Sequence, residues 1–81
     1  ELESAVAANE TDLPARYALA LALVVDDQID RALEQLLEMM RIDRTYDEEL
    51  PRTTMIKVFD LLGKGNPTVA AYRRKMFALL H

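Results

Sequence analysis

The chain has 81 residues, enough for one small domain, and it contains no cysteine, which excludes disulfides, thiolate metal sites and redox thiols within it. Ten basic and 14 acidic residues give a net charge of −4, which argues against a general affinity for nucleic acid. No signal-peptide pattern or membrane-spanning apolar run is recognisable, and the chain opens on Glu1 inside an apolar segment. We therefore expect a cytoplasmic piece of a longer protein that has no membrane partner.

The charge is divided unevenly along the chain. Residues 1–50 hold 13 acids and four bases, a net charge of −9, whereas residues 51–81 hold six bases and one acid, a net charge of +5. Two interpretations are open: solvated helix surfaces with attraction between the halves, or a basic half that binds nucleic acid. The acidic first half and the lack of a recognition motif argue against nucleic acid as a partner.

The first complete helix is predicted to start at Thr11 or Asp12 as N-cap, with Pro14 in its first turn. Residues 17–25, YALALALVV, place leucine at every second position, which is the spacing of a strand. The intervening alanines are the best helix formers, and no other segment could pair with a lone strand. We therefore predict a central helix that is apolar nearly all round and packs between a preceding and a following helix.

The second predicted helix spans Ile29 to Ile42 and follows a turn at Asp26–Asp27. Its apolar residues recur at the spacing of one helical face, which predicts that this face packs against the core. These residues are Ala32, Leu33, Leu36, Leu37, Met39 and Met40.

The last 37 residues predict a second pair of helices. DRTYDEEL is predicted to be a connector, after which Pro51 lies in the first turn of a third helix. Gly63 is predicted to end that helix as a left-handed cap. After the GKGNP loop, Asn66 caps a fourth helix and Pro67 is its first residue. The third helix carries the apolar residues Met55, Ile56, Val58, Phe59, Leu61 and Leu62, and the fourth carries Val69, Tyr72, Met76, Phe77 and Leu80.

Two helix ends, SAVAANETD and EMMRIDRTY, lie 34 residues apart, which is the period of tetratricopeptide repeats. Leu19 and Ala20 match the leucine–small pair of that repeat, and Ala32 matches the alanine at which its two helices touch. Arg16 and Arg44 stand where an aromatic residue and a closing proline are usual. The unit between the two ends therefore resembles a degenerate tetratricopeptide repeat.

The segments LLEMMRIDR, FDLLGKGNP and YRRKMFALL resemble the C-terminal end of bacterial thioredoxin-like co-chaperones, the chaperedoxin family. In that family a thioredoxin-fold domain precedes a tetratricopeptide domain, and the resemblance here runs from about Asp12 onward. It implies a protein-binding module of a chaperone or co-chaperone, with chaperonin or unfolded client proteins as partners, bound through the helical groove and the C-terminal helix. No redox activity is implied, because there is no cysteine to carry it.

We accordingly predict an all-α, tetratricopeptide-like, right-handed array of stacked antiparallel helix pairs, with about four helices plus the tail of a preceding one. Residues 1–10 would end a preceding repeat helix, residues 11–44 would form the degenerate repeat, and residues 45–81 would be a helix pair that caps the array.

Enzymatic chemistry is not predicted. His81 is the only histidine, it is the last residue, and no nucleophile, base and orienting group accompany it. The acids at Asp26–Asp27 and Asp47–Glu49 are explained by helix capping, and their spacing is not that of a calcium loop. GKGNP lacks the phosphate-loop pattern. We therefore expect no cofactor and no metal.

The fourth helix is the predicted partner-binding element. Its candidate residues are Tyr72, Arg73, Arg74, Lys75, Phe77 and Leu80. One alternative is that the stripe of Val69, Tyr72, Met76 and Leu80 only closes the core, as terminal repeats require. In that case the basic residues and Phe77 are the ones that face a partner. The partner's identity and the oligomeric state, including self-association through a bare helix edge, are left open.

Overall fold

The computed structural model describes residues 12–63 and 65–80, which form four α-helices and no strand. They are α1 (Leu13–Val25), α2 (Ile29–Ile42), α3 (Tyr46–Leu62) and α4 (Pro67–Leu80). The YALALALVV stretch lies within α1, so the all-α prediction is confirmed. The predicted tail in residues 1–10 and the terminal His81 lie outside the described residues.

Local capping chemistry fixes where two helices start. The Asp12 carboxylate accepts a hydrogen bond from the Ala15 N–H at 3.1 Å, and the Asn66 side chain accepts one from the Thr68 N–H at 2.8 Å. Each bond satisfies one of the N–H groups that have no partner inside the helix. Both predicted N-caps are confirmed.

The turn between α1 and α2 is built differently from the prediction. Asp26 accepts a hydrogen bond from the Gln28 side chain, and Gln28 is the N-cap of α2 without making a side-chain capping bond itself. The predicted cap at Asp26–Asp27 lies at the end of α1 and not at the start of α2: Asp26 is the C-cap of α1, and its N–H donates to the Ala22 carbonyl at 3.0 Å.

Side-chain hydrogen bonds define how the helices are arranged. Arg16 on α1 donates to Gln35 on α2 at 2.7 Å across the short turn, as in an antiparallel pair. The hydroxyls of Tyr17 on α1 and Thr54 on α3 lie 3.0 Å apart. Helix α2 packs against each of the other three helices. The central helix of the described chain is thus α2, whereas the sequence predicted α1.

The core is built around α2. Its predicted apolar face is buried almost completely, with exposures of 0–3%, which confirms the periodicity argument. Burial of each large apolar side chain stabilises the fold by about 1.5–3 kcal/mol. The side chains that meet this face include Met55, Val58, Phe59, Val69, Tyr72 and Met76.

A smaller cluster joins α1 to α2. Leu19 and Leu23 pack around Ala32, which has no exposed surface, so the alanine lets the two helices approach closely as predicted. The opposite side of α1 is open, because Leu21 is 43% exposed and Val25 is 89% exposed. Within the described residues, α1 packs against α2 and reaches α3 through Tyr17, and no described helix covers the side that carries Leu21 and Val25. The predicted packing of α1 against a preceding helix falls on residues outside the described ranges.

The start of α3 contains a left-handed turn. Asp47, Glu48 and Glu49 have φ values of 48°, 58° and 63°, after which the chain continues as a right-handed helix from about Pro51. The proline position agrees with the prediction. The three carboxylates therefore directly precede the right-handed part of α3, which agrees with the prediction that they lie near the positive end of the helix dipole. Left-handed backbone at a residue with a Cβ costs about 1–2 kcal/mol.

Gly63 ends α3 and turns the chain toward α4. Its N–H donates to the Phe59 carbonyl at 2.9 Å, and its φ and ψ are 89° and 157°. The positive φ agrees with a glycine cap, but this ψ lies outside the left-handed helical region, so the predicted left-handed cap is corrected to an extended, glycine-specific conformation.

Candidate protein-interaction surface

Helix α4 has one face in the core. Val69, Tyr72 and Met76 are 1–9% exposed, and Leu79 and Leu80 are half-buried against the same cluster. Two residues of the predicted partner-binding set, Tyr72 and Leu80, therefore contribute to closing the core.

Tyr72 also joins α4 to α2 through a group of polar contacts that we call the Tyr72 clasp: Tyr72, Lys75 and Glu34. The Tyr72 hydroxyl donates to Glu34 Oε1 at 2.8 Å, and its oxygen lies 3.4 Å from the Asp30 carbonyl oxygen. Lys75 Nζ lies 3.4 Å from the same Glu34 oxygen and 4.6 Å from the centre of the Tyr72 ring. The clasp therefore holds the first half of α4 against the first half of α2.

The environment of the clasp keeps the tyrosine protonated. Burial of the phenol, its hydrogen bond to Glu34 and the negative charges of Glu34 and Asp30 raise the pKa of Tyr72 to about 12. Each of these effects disfavours the phenolate. Tyr72 thus acts as a hydrogen-bond donor at neutral pH.

Arg73 is held by a different helix. Its guanidinium lies 5.5 Å from the centre of the Phe59 ring on α3, and the side chain is half-buried. A cation–π contact of this kind contributes about 0.5–1 kcal/mol at an exposed site. Arg73 covers the edge of the core between α3 and α4.

Arg74 and Phe77 remain in solvent. Phe77 is 48% exposed, and Arg74 makes no ion pair, hydrogen bond or ring contact within residues 12–63 and 65–80. Arg74 and Phe77 are three residues apart and lie on one side of the helix, which we call the α4 outer face. The prediction that this face binds a partner stays a prediction.

Sequence reasoning missed a second exposed apolar set, on α1 and α3. Besides Leu21 and Val25, Leu61 is 78% exposed and Ile56 is 38% exposed. On α3 the available signal is that Ile56 and Leu61 fall outside the main apolar stripe, whereas α1 is apolar nearly all round and gives no such signal. The sequence predicts packing for all four residues because apolar residues are usually buried.

The two positions that depart from the repeat pattern are accommodated by polar contacts. Arg16 is only 8% exposed and its Nη1 donates to Gln35 Oε1. Arg44 Nη1 lies 3.5 Å from the Leu79 carbonyl at the end of α4, where a cation interacts favourably with the helix terminus.

The described residues also bear on pockets, metal binding and membrane insertion. One shallow depression of about 340 Å³ lies at the α1–α2 turn and is lined by residues 27–31. Over the described ranges, no group of three or more histidines or acids is arranged to hold a metal ion. Within those same ranges, none of the helices combines the length and apolar character needed to cross a bilayer.

The paired helices around a shared core define a helical-repeat architecture. The Tetratricopeptide repeat family matches the chain over residues 1–81, so the chain belongs to that family. The family assignment makes the chain a protein–protein interaction module. No curated protein and no solved structure matches the chain.

Proposed function

We propose that the chain is the C-terminal tetratricopeptide domain of a thioredoxin-like co-chaperone and that it binds a chaperonin through α4. One observation carries the proposal: the predicted partner-binding helix closes the core with one face and still presents Arg74 and Phe77 to solvent. The resemblance of FDLLGKGNP and YRRKMFALL to the chaperedoxin family supports both the chaperone context and a cytoplasmic location.

Binding would combine an apolar anchor with electrostatic steering. The Phe77 ring is half exposed and fits a pocket on a partner, whereas Arg74 supplies a charge that guides the encounter. The core contacts of α4 and the Tyr72 clasp fix the helix before binding, so little conformational entropy is lost on association.

Unfolded clients form the second class of partner that the resemblance implies, and they would use a different surface. Leu21 and Val25 make α1 an exposed apolar helix, and α1 carries no charged residue on its open side. An apolar face of this kind suits non-specific contacts with exposed hydrophobic segments.

The test is capture of a purified bacterial chaperonin by the immobilised chain. The double variant Arg74→Glu/Phe77→Ser changes two exposed side chains and is expected to lose capture while retaining its far-UV circular dichroism spectrum. The control is Arg41→Glu/Ile42→Ser, which likewise reverses one charge and removes one exposed apolar side chain, here at the end of α2, and it is expected to bind normally. Undiminished capture by the α4 variant would exclude this surface. A truncation before Pro67 is unsuitable, because it would expose the core.

A further inference from the structure

The bases of α4 have unequal roles. Helix α4 contains Arg73, Arg74 and Lys75 and no acid. Lys75 is paired with Glu34 and lies over the Tyr72 ring, and Arg73 lies over Phe59. Arg74 alone among the three has no contact of this kind in the described part of the chain. The positive charge that α4 offers to a partner is therefore concentrated at Arg74.

We infer that the α4 outer face binds an acidic amphipathic helix of a partner protein, with Arg74 pairing a carboxylate and Phe77 packing on an aliphatic side chain three or four residues away. This inference rests on the proposed function, because it specifies the chemistry of the partner at the same surface. Lys75 and Tyr72, although part of the same sequence block, stabilise the fold and do not contact the partner.

The spacing of the two exposed groups selects this partner. Arg74 and Phe77 are three residues apart, so they lie about one turn apart on one side of α4. A partner helix with a carboxylate and an apolar residue at the same separation matches both groups at once. Arg fits such a carboxylate particularly well, because its planar guanidinium donates two parallel hydrogen bonds.

The charge of the surface distinguishes an acidic partner from an apolar one. Phe77 alone offers one half-exposed ring, which is a small contact for a purely apolar interface. The negative charge of residues 1–50 would repel a polyanion such as RNA, whereas a short acidic helix needs to approach only α4. Charge complementarity therefore favours a protein segment over nucleic acid.

The experiment is a titration of the full, ¹⁵N-labelled chain with a synthetic helical peptide that has leucine on one face and glutamate on the other. Its matched control peptide has glutamine at every glutamate position. The expected result is amide shift changes centred on Arg74 and Phe77, with binding at least about tenfold tighter for the glutamate peptide at low salt and weaker as salt rises from about 50 to about 300 mM.

Three variants assign the contact. Arg74→Glu is expected to weaken peptide binding at least about tenfold, while Arg74→Lys keeps the charge but loses the two parallel hydrogen bonds and is expected to have a smaller effect than Arg74→Glu. Arg41→Glu changes the net charge equally on α2 and is expected to change the affinity less than about threefold. Equal effects of Arg74→Glu and Arg41→Glu would overturn the inference, since they would show an unspecific dependence on net charge.

Other results also overturn the inference. One is equal binding of the glutamate and glutamine peptides, and another is a set of shift changes centred on Leu21 and Val25 of α1. Tighter binding of a single-stranded RNA oligonucleotide to α4 would replace the protein partner by nucleic acid. The titration contains no chaperonin, so absence of chaperonin capture with intact peptide binding rejects the proposed function alone. Absence of peptide binding with intact capture rejects the acidic-helix inference alone.

Discussion

The two glycines of the loop between α3 and α4 provide a sharp test of the structure. Gly63 has a φ of 89°, whereas Gly65 is outside the range of positive φ that disfavours a side chain. A Cβ added at either position would meet no atom within 4 Å. Replacing each glycine by alanine therefore adds one methyl group without a steric clash, and the two variants differ only in the backbone conformation that the methyl group must accept.

The expected effects have opposite signs. At Gly63 the φ and ψ lie in a region that is nearly restricted to glycine, and an alanine there costs about 1–3 kcal/mol. The smaller entropy of the unfolded alanine variant offsets about 0.4–1 kcal/mol of that cost. Gly63→Ala should therefore lower the free energy of unfolding by roughly 1–2 kcal/mol. Gly65→Ala has no such backbone cost and only reduces the entropy of the unfolded chain, so it should raise the free energy of unfolding by about 0.4–1 kcal/mol.

Urea unfolding followed by circular dichroism measures both values on the same chain. A change of 1 kcal/mol corresponds to a shift in Tm of roughly 4–8 °C in a domain of this size, so thermal unfolding should show one variant below and one above the parent. If Gly63→Ala is stabilising, Gly63 does not have the positive φ on which the connection from α3 to α4 depends. If Gly65→Ala is destabilising, the backbone at Gly65 does not accept a side chain as expected.

Three further changes test other parts of the fold by urea unfolding. Tyr72→Phe should lower the free energy of unfolding by about 1 kcal/mol, since the acceptor Glu34 is partly exposed. The pKa of Tyr72, about 12, is above the ordinary 10, so the folded state binds the phenol proton more tightly than the unfolded state does. The stability advantage of the parent over Tyr72→Phe should therefore be complete below pH 10 and fall between pH 10 and about 12. A constant difference across that window would contradict the clasp. Glu48→Gly should raise the free energy of unfolding by about 0.5 kcal/mol, because it removes a Cβ from left-handed backbone. A lower free energy of unfolding would argue against the left-handed turn at the start of α3. Leu36→Ala should lower the free energy of unfolding by about 2–5 kcal/mol, whereas Leu61→Ala, at an exposed position, should lower it by at most about 0.5 kcal/mol. Similar losses at both sites would refute the assigned core.

The helix starts and the buried face of α2 could be predicted because their causes are local. A side chain such as Asp12 or Asn66 caps N–H groups within three residues of itself, and the position of a proline in the first turn is fixed by its missing N–H. The apolar repeat in α2 likewise predicts which side of the helix is buried, although it does not predict which residues pack against that side.

The open side of α1 could not be predicted, because it depends on how many neighbours the helix has. Leu21 and Leu23 look alike in the sequence, yet Leu23 is 5% exposed and Leu21 is 43% exposed. The left-handed turn at Asp47–Glu49 was also missed, since glycine and asparagine are the usual residues there and acids give no comparable signal.

The division of the basic run on α4 could not be predicted for the same reason. Consecutive residues of a helix point in directions about 100° apart, so Arg73, Arg74 and Lys75 face different surroundings. What they meet is supplied by Phe59 and Glu34, which are distant in sequence. The sequence therefore places all the candidate residues on one helix, but which of them point into the core and which point outward could be separated only with the packing in view.

This division has a consequence for how a partner can engage α4. Val69, Tyr72 and Met76 belong to the core, so detaching the helix would expose them and unfold the domain. A partner must therefore bind α4 as an intact helix that stays in the core. Because such a partner binds only the folded state, it stabilises that state by an amount that grows with the ratio of partner concentration to Kd. A partner peptide at about 100 times its Kd should raise the free energy of unfolding by about 2.7 kcal/mol. A peptide that binds but lowers the unfolding midpoint would instead show that α4 leaves the core when it binds.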